Sequence, residues 1–269
     1  MMIFLDLDGT LLNSQKEVSA GNRKALQAAR EQGHQVVLCS GRPLSAMKQI
    51  IKELDLQKPG CFVISYNGAL IYDCHKEDVI FSAPLTKREV DFLFAEADKE
   101  LLYVQTYDTN YLLTRRDCPE VRYYAGLTDI QVKLLPTLPQ GMEELPYKVL
   151  FIDLKDHARL LQFKEKIELQ EQEAGHLNGF FSCPQFLEFV REGVSKGSAI
   201  RWLSQYLGVP LNQTVGVGDS DNDIPMLETA GISVAMQNAD AEIKAHAGYV
   251  TEHDCDHDGV AEVIERFVL

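Results

Sequence analysis

The stretch Ile3-Phe4-Leu5-Asp6-Leu7-Asp8-Gly9-Thr10 places two carboxylates one residue apart at the end of a run apolar enough for a buried strand. Alternate side chains of a strand point the same way, so Asp6 and Asp8 converge on one face if the extended geometry persists to Asp8. Like charges that close repel. The pair is tolerable where a cation, a shared proton or solvent compensates it, which makes it either a solvated strand end or a working site.

Beyond this stretch the chain alternates apolar runs with helical patterns. Ile3–Leu7 is followed by a helical pattern at Ala20–Gln32, the run Gln35–Cys39, a helix at Leu44–Leu54 and the run Cys61–Ser65. Gly33 suits a helix C-terminus and Pro43 a helix start. Strands alternating with helices predict parallel βαβ units, hence an α/β fold with a Rossmann-like doubly wound parallel sheet. From Pro84 the rhythm changes. "LLYVQTYDTNYLLT" reads as two strands about a turn at Asp108-Thr109-Asn110, "YKVLFIDL" as another strand, and His157–Gln172 as an amphipathic helix. "LNGFFSCPQFLEFV" reads as a strand pair broken at Cys183-Pro184. After Gly193 the βα rhythm returns, with a helix at Lys196–Leu207, a strand at Thr214–Val217, a helix near Asn222–Thr229, a strand at Ile232–Ala235 and a final helix at Gly259–Phe267. The expected organisation is a core of residues 1–83 and 189–269 interrupted by an inserted α+β cap domain at 84–188.

Bulk composition narrows the function classes. The chain has 269 residues and 45% hydrophobic composition, enough for a sizeable core. With 26 Lys plus Arg against 40 Asp plus Glu, the net charge is −14, which argues against nucleic acid or anionic membrane as partner and requires a local positive site for any anionic ligand. Six scattered cysteines without a CxxC pair fit a reduced compartment. No apolar stretch approaches the ~20 residues of a membrane span, and the N-terminal run lacks the basic start of a signal peptide. These features predict a cytoplasmic protein, a monomer or small homo-oligomer.

Three further segments fall at expected strand ends or helix starts: "CSGRP" at 39–43, "GVSKGSA" at 193–199 and "GVGDSDNDIPML" at 216–227. In a parallel sheet such ends gather along one edge, so Asp6, Asp8, Ser40, Lys196, Asp219, Asn222 and Asp223 can share a pocket. Asp6, Asp8 and Asp219 supply hard oxygen donors of the kind that hold Mg2+ with water and a substrate phosphate. Ser40 at a helix N-terminus offers hydrogen bonds to an anion, and Lys196 a cation.

"DLDGT" at 6–10, "SGR" at 40–42, "SKG" at 195–197 and "GDSDND" at 218–223 resemble, in order, the four motifs of the haloacid dehalogenase superfamily. The size and place of the insert, "NGA" at 67–69, "EGVSKG" at 192–197 and the "VAMQNA" to "DGVA" tail resemble the Cof-type phosphatases with a large α/β (type IIB) cap. The resemblance spans essentially the whole chain. It implies a Mg2+-dependent hydrolysis of a phosphomonoester of a small phosphorylated metabolite, such as a sugar phosphate. Asp6 would be the nucleophile, forming an aspartyl-phosphate, and also a metal ligand. Asp8 would be general acid and base and touch the metal through its carbonyl. Leu7 by its N–H, Ser40, Gly41, Lys196 and Asn222 would hold phosphate. Asp219 would complete the metal site, with Asp223 and Arg42 supporting. The resemblance also allows a phosphomutase. From another class, a non-enzymatic phospho-receiver would use an aspartate at a strand end but leaves the long insert unexplained.

Two motifs invite other readings. "GVG" at 216–218 lacks the third glycine of a dinucleotide fingerprint, since position 221 is Asp221. "HDCDHD" at 253–258 is dense in zinc-ligand types, yet its alternate spacing is not a zinc pattern. Tyr103, Tyr107, Tyr111, Tyr123 and Tyr124 are candidates to line a substrate pocket.

Overall fold

The computed structural model describes residues 1–128, 130–170, 175 and 177–269. The chain divides into two compact units, one of Met1–Gly41, Gln49–Phe81 and Ser195–Leu269, the other of Arg42–Lys48 and Ser82–Val194. The second unit therefore runs six residues beyond the expected end at 188, because the strand Phe186–Arg191 is one of its own. It also takes in residues 42–48.

The first unit is built on an eight-stranded sheet. β1 (Met2–Asp6) lies beside β2 (Gln35–Cys39), followed outward by β3 (Cys61–Ser65), β4 (Leu70–Asp73) and β5 (Asp78–Ser82). On its other side lie β12 (Thr214–Gly218), β13 (Ile232–Ala235) and β14 (Tyr249–Val250). β1, β2, β3, β12, β13 and β14 run parallel, and β4 is antiparallel to β3. The sheet is thus mixed at one edge, because the βα rhythm gives way there to a strand that turns directly back through Tyr66–Gly68. Every residue of β1 and β3 is buried, as continuous apolar runs require when both faces of a parallel sheet are covered.

Met2, Phe4, Val37, Cys39, Phe62 and Ile64 form one core with Ala199, Ile200 and Leu203 of α6 (Lys196–Leu207) and Met226 of α7 (Ile224–Leu227). The alternate residues Ile3, Leu5, Val36, Leu38 and Val63 are equally buried. Helices α1 (Ala20–Glu31) and α9 (Gly259–Phe267) pack on each other. Because the chain moves from β1 outward to β2 and β3 and then returns to the opposite flank at β12, the strand order reverses at β1. In open α/β sheets such a reversal opens a crevice at the carboxyl ends.

The second unit is a six-stranded sheet of order β10-β11-β9-β6-β7-β8. The strands are β6 (Tyr103–Tyr107), β7 (Leu112–Thr114), β8 (Val132–Leu134), β9 (Val149–Ile152), β10 (Leu177–Cys183) and β11 (Phe186–Arg191). Val104, Leu113, Val149, Phe151, Leu187 and Phe189 form its core with Val90, Leu93, Phe94 and Ala97 of α3 (Lys87–Glu100) and Leu160, Phe163 and Ile167 of α5 (His157–Leu169). The expected helix end at 171–172 lies outside the described residues. The alternate strand positions carry a buried polar row: Tyr103 donates to Gln105 at 2.8 Å, Gln105 donates to the Tyr107 hydroxyl at 2.9 Å, and Lys148 pairs with Glu188 at 3.0 Å. Of the candidate pocket tyrosines, Tyr103, Tyr107 and Tyr124 are buried, whereas Tyr123 is exposed. No helix among the described residues is long and apolar enough to cross a membrane.

Candidate active site

β1 delivers Asp6 at its carboxyl end, opposite Cys39 of β2. After Asp6 the backbone curls: the N–H of Leu11 bonds to the carbonyl of Asp6 and that of Leu12 to Leu7 at 2.8 Å. The turn passes through Gly9 with φ 82°, a conformation that L side chains rarely adopt. A Cβ there would also lie 2.9 Å from Cγ of Asp219, so only glycine lets this turn approach the end of β12. Thr10 completes the junction by donating to Asp219 Oδ1 at 2.7 Å.

Lys196 enters from the first turn of α6, a helix capped reciprocally by Ser195 and Ser198. A cation at a helix N-terminus opposes the helix dipole, so carboxylates must hold it there. Fully buried Lys196 donates to Asp6 Oδ1 at 2.5 Å and to Asp223 Oδ1 at 2.6 Å. The second oxygen of Asp223 accepts from the backbone N–H groups of Asp219 at 3.0 Å and Ser220 at 3.1 Å. Asp223 thereby fixes both the lysine and the turn carrying Asp219.

Oxygens of Asp6, Asp219 and Asp223 lie within 4.8 Å of one another. Three carboxylates against one ammonium leave two negative charges in a largely buried space, the complement of a divalent cation with hard-ligand preference. The donor set fits Mg2+. Burial, then Asp223, push Asp6 well above the usual carboxylate range, with Lys196 opposing and Asp219 adding to the rise. Burial and Asp223 push Asp219 to about 6. Burial alone would lower Lys196, but Asp223 and Asp6 outweigh it and raise it above the ordinary lysine value.

A pH dependence follows. Asp6 and Asp219 bind protons more tightly in the folded chain than in the unfolded one, where aspartate titrates near ~3.9. The metal-free fold therefore loses stability as pH rises from about 4 through 6, while Lys196 stays charged throughout. Thermal melts in EDTA are expected to show this loss, and the rise in melting temperature on adding Mg2+ should be larger at pH 7 than at pH 5. An equal rise at both pH values would mean that metal and protons do not compete here.

The remaining residues are placed as follows. The Asp8 carboxylate is not a member of the three-carboxylate group. It is half-exposed and pairs with Lys16 at 2.8 Å, a partner not evident in the sequence. Ser40, buried at the end of β2, donates its N–H to Ile64 at 2.9 Å. Asn222 donates to Asn67 at 3.0 Å. Arg42 groups with the second unit. His253 pairs with Glu262 at 2.9 Å and His257 with Asp254 at 2.6 Å, and among the described residues no metal-sized group forms at 253–258. Thr10 and Asn67 lie within the motifs, and the sequence by itself assigns neither a role. Asn67 follows the end of β3, so the strand-end rule that selected the others applies to it as well.

A family model described as haloacid dehalogenase-like hydrolase matches residues 3–264. YxeH of Bacillus subtilis (strain 168) is 33% identical over 100% of this chain and 98% of its own length. Phosphatase YwpJ of the same organism is 31% identical over 99% of each. The crystal structure of a haloacid dehalogenase-like hydrolase from Bacteroides thetaiotaomicron superposes with a TM-score of 0.88 at 34% identity, covering 98% of each chain. With Asp6, Lys196, Asp219 and Asp223 gathered at the carboxyl edge of its sheet, this chain belongs to the haloacid dehalogenase-like hydrolases and is an enzyme of that family.

Proposed function

We propose that this enzyme is a Mg2+-dependent phosphatase that hydrolyses a phosphomonoester of a small metabolite through a phosphorylated Asp6. The observation that carries the reading is the contact of buried Lys196 with Asp6 and Asp223 beside Asp219. An ammonium in that position holds the nucleophilic carboxylate in one orientation and offsets charge on a phosphoryl group.

In the first half-reaction a carboxylate oxygen of Asp6 forms a bond to phosphorus as the ester P–O bond breaks, and the departing alkoxide takes a proton from the Asp8 carboxyl group. In the second, water gives a proton to the Asp8 carboxylate and attacks phosphorus, the bond to Asp6 breaks, and orthophosphate leaves. Asp6 must be ionised when it attacks and Asp8 protonated when it donates. Burial and Asp223 oppose the charged form of Asp6 in the metal-free fold, Lys196 favours it, and a bound Mg2+ would favour it further. Ser40, the backbone of Leu7 and Gly41, and Asn222 donate to the phosphoryl oxygens. Asp6, Asp219 and the carbonyl of Asp8 would hold Mg2+, which supplies Lewis-acid stabilisation of charge on the phosphoryl group.

Phosphate release from a panel of phosphorylated metabolites, run in 18O-enriched water with Mg2+ and with EDTA, tests the reading. Orthophosphate carrying one solvent oxygen, released only with Mg2+, is expected. Phosphate that moves within a sugar without appearing free would instead identify a mutase.

A further inference from the structure

Directly after β3 the chain takes two consecutive left-handed residues that are not glycine, Tyr66 with φ 50° and Asn67 with φ 56°, both 2% exposed. The left-handed region crowds a Cβ against the following carbonyl, and asparagine tolerates it better than tyrosine. A buried amide adds a demand for hydrogen-bond partners. Strain of this kind persists where the surroundings over-determine it, so the contacts of the strained residue are informative.

Among the described residues, Asn67 reaches two other segments of the first unit. Its side-chain oxygen accepts from the Asn222 amide at 3.0 Å, joining positions 155 residues apart. Its backbone N–H donates to the carbonyl of Ser40 at 3.0 Å. Its amide nitrogen stands 2.9 Å from where a Cβ on Gly41 would be, so amide and backbone lie face to face and any side chain at position 41 would displace it. One residue thus touches both the loop after β2 and the turn after β12.

We propose that Asn67 is a positioning residue for phosphate binding, acting through Asn222 and the Ser40–Gly41 loop. The assignment rests on the phosphatase reading. An amide nitrogen carries two hydrogens. Holding one of the two on Asn222 fixes the plane of that amide and leaves the other to donate to a phosphoryl oxygen. The bond to Ser40 fixes the opposite side of the same anion site, so the donors are set before substrate arrives. Neither function requires Asn67 to touch substrate, and the leaving group plays no part in either.

The test compares wild type, Asn67→Gly, Asn222→Ala and the double variant. Glycine keeps the left-handed backbone and removes only the amide, and Asn67→Ala serves as the control in which backbone strain remains. With p-nitrophenyl phosphate and a poorer leaving group, Asn67→Gly is expected to lower kcat/KM about 10- to 100-fold, the usual effect of removing an orienting partner. The factor should be the same for both substrates, and the inhibition constant of orthophosphate should rise with it. Melting should be within a few degrees of wild type. The double variant should be no worse than Asn222→Ala alone, since the two act as one unit. An active wild type with unchanged kcat/KM and phosphate inhibition in Asn67→Gly, or losses that simply multiply in the double variant, would overturn the assignment and make Asn67 a turn residue. A wild type that releases no phosphate from any ester would overturn the phosphatase reading itself, and this assignment with it.

Discussion

Asp6→Asn is expected to lower turnover by on the order of 10⁴–10⁶-fold, the usual scale for loss of a covalent nucleophile. The substitution is nearly isosteric, and its amide oxygen can still accept the hydrogen bond from Lys196. What it removes is one of three negative charges confined with a single ammonium. Burial, Asp223 and Asp219 all disfavour the charged form of Asp6, so the metal-free variant should melt at or above the wild-type temperature. It should also gain less stability from Mg2+, having lost a donor. Thermal melts with EDTA and with Mg2+, beside single-turnover assays, read both effects. Turnover retained in a stable Asp6→Asn protein would exclude the covalent route. A variant that melts well below wild type in EDTA would show that the Asp6 charge supports the fold instead of straining it.

Lys196→Met should have the opposite profile. Removing the cation leaves Asp6 and Asp223 buried without their ammonium, and breaking a buried pair by removing one partner costs about 3–5 kcal/mol. Activity should fall by about 10²–10³-fold, the scale for losing one preorganised electrostatic contact. Mg2+ should restore part of the stability, because a dication answers the same negative charge, but not the rate. Urea unfolding in EDTA and in excess Mg2+ separates the two contributions. If Lys196→Met unfolds at the wild-type urea concentration in EDTA, the carboxylates do not depend on this lysine.

Those two residues were legible in the sequence because each falls at a structural boundary. Asp6 ends an unbroken apolar run, and Lys196 begins a helix whose dipole it opposes. The strands β1, β2, β3 and β12 were readable for the same reason as Asp6: burial on both faces confines polar residues to the strand ends, at Asp6, Gln35, Ser65 and Thr214, and leaves the run between unbroken. By contrast, α3 is not legible in the sequence although Thr86 and Glu89 spell a reciprocal cap. Its buried stripe includes Glu96, held by Lys99 and Lys166, and a charge within the stripe blurs the apolar period. β8 is three exposed residues, too short and too solvated to carry a pattern. The sheet edge at β4 and β5 is likewise not legible, since a strand that doubles back directly has no intervening helix to announce it. Within the site, Thr10–Asp219 and Asn67–Asn222 arise from folding positions 209 and 155 residues apart, and nothing local to either residue records its partner.

The placement of β1 between β2 and β12 also governs when the site can exist. β2 follows β1 within about thirty residues of chain, but the strand on its other flank begins at Thr214. During synthesis the second unit, with its own buried core, is completed at Val194, before the second half of the first unit emerges. Until then Asp6 has neither Lys196 nor Asp219 beside it, and one edge of β1, every residue of which is buried in the finished sheet, is unpaired. The nascent chain therefore passes through a stage in which it is inert toward phosphate esters and prone to associate through that edge. Closing the sheet with β12 ends the exposure and assembles the carboxylate group in one event.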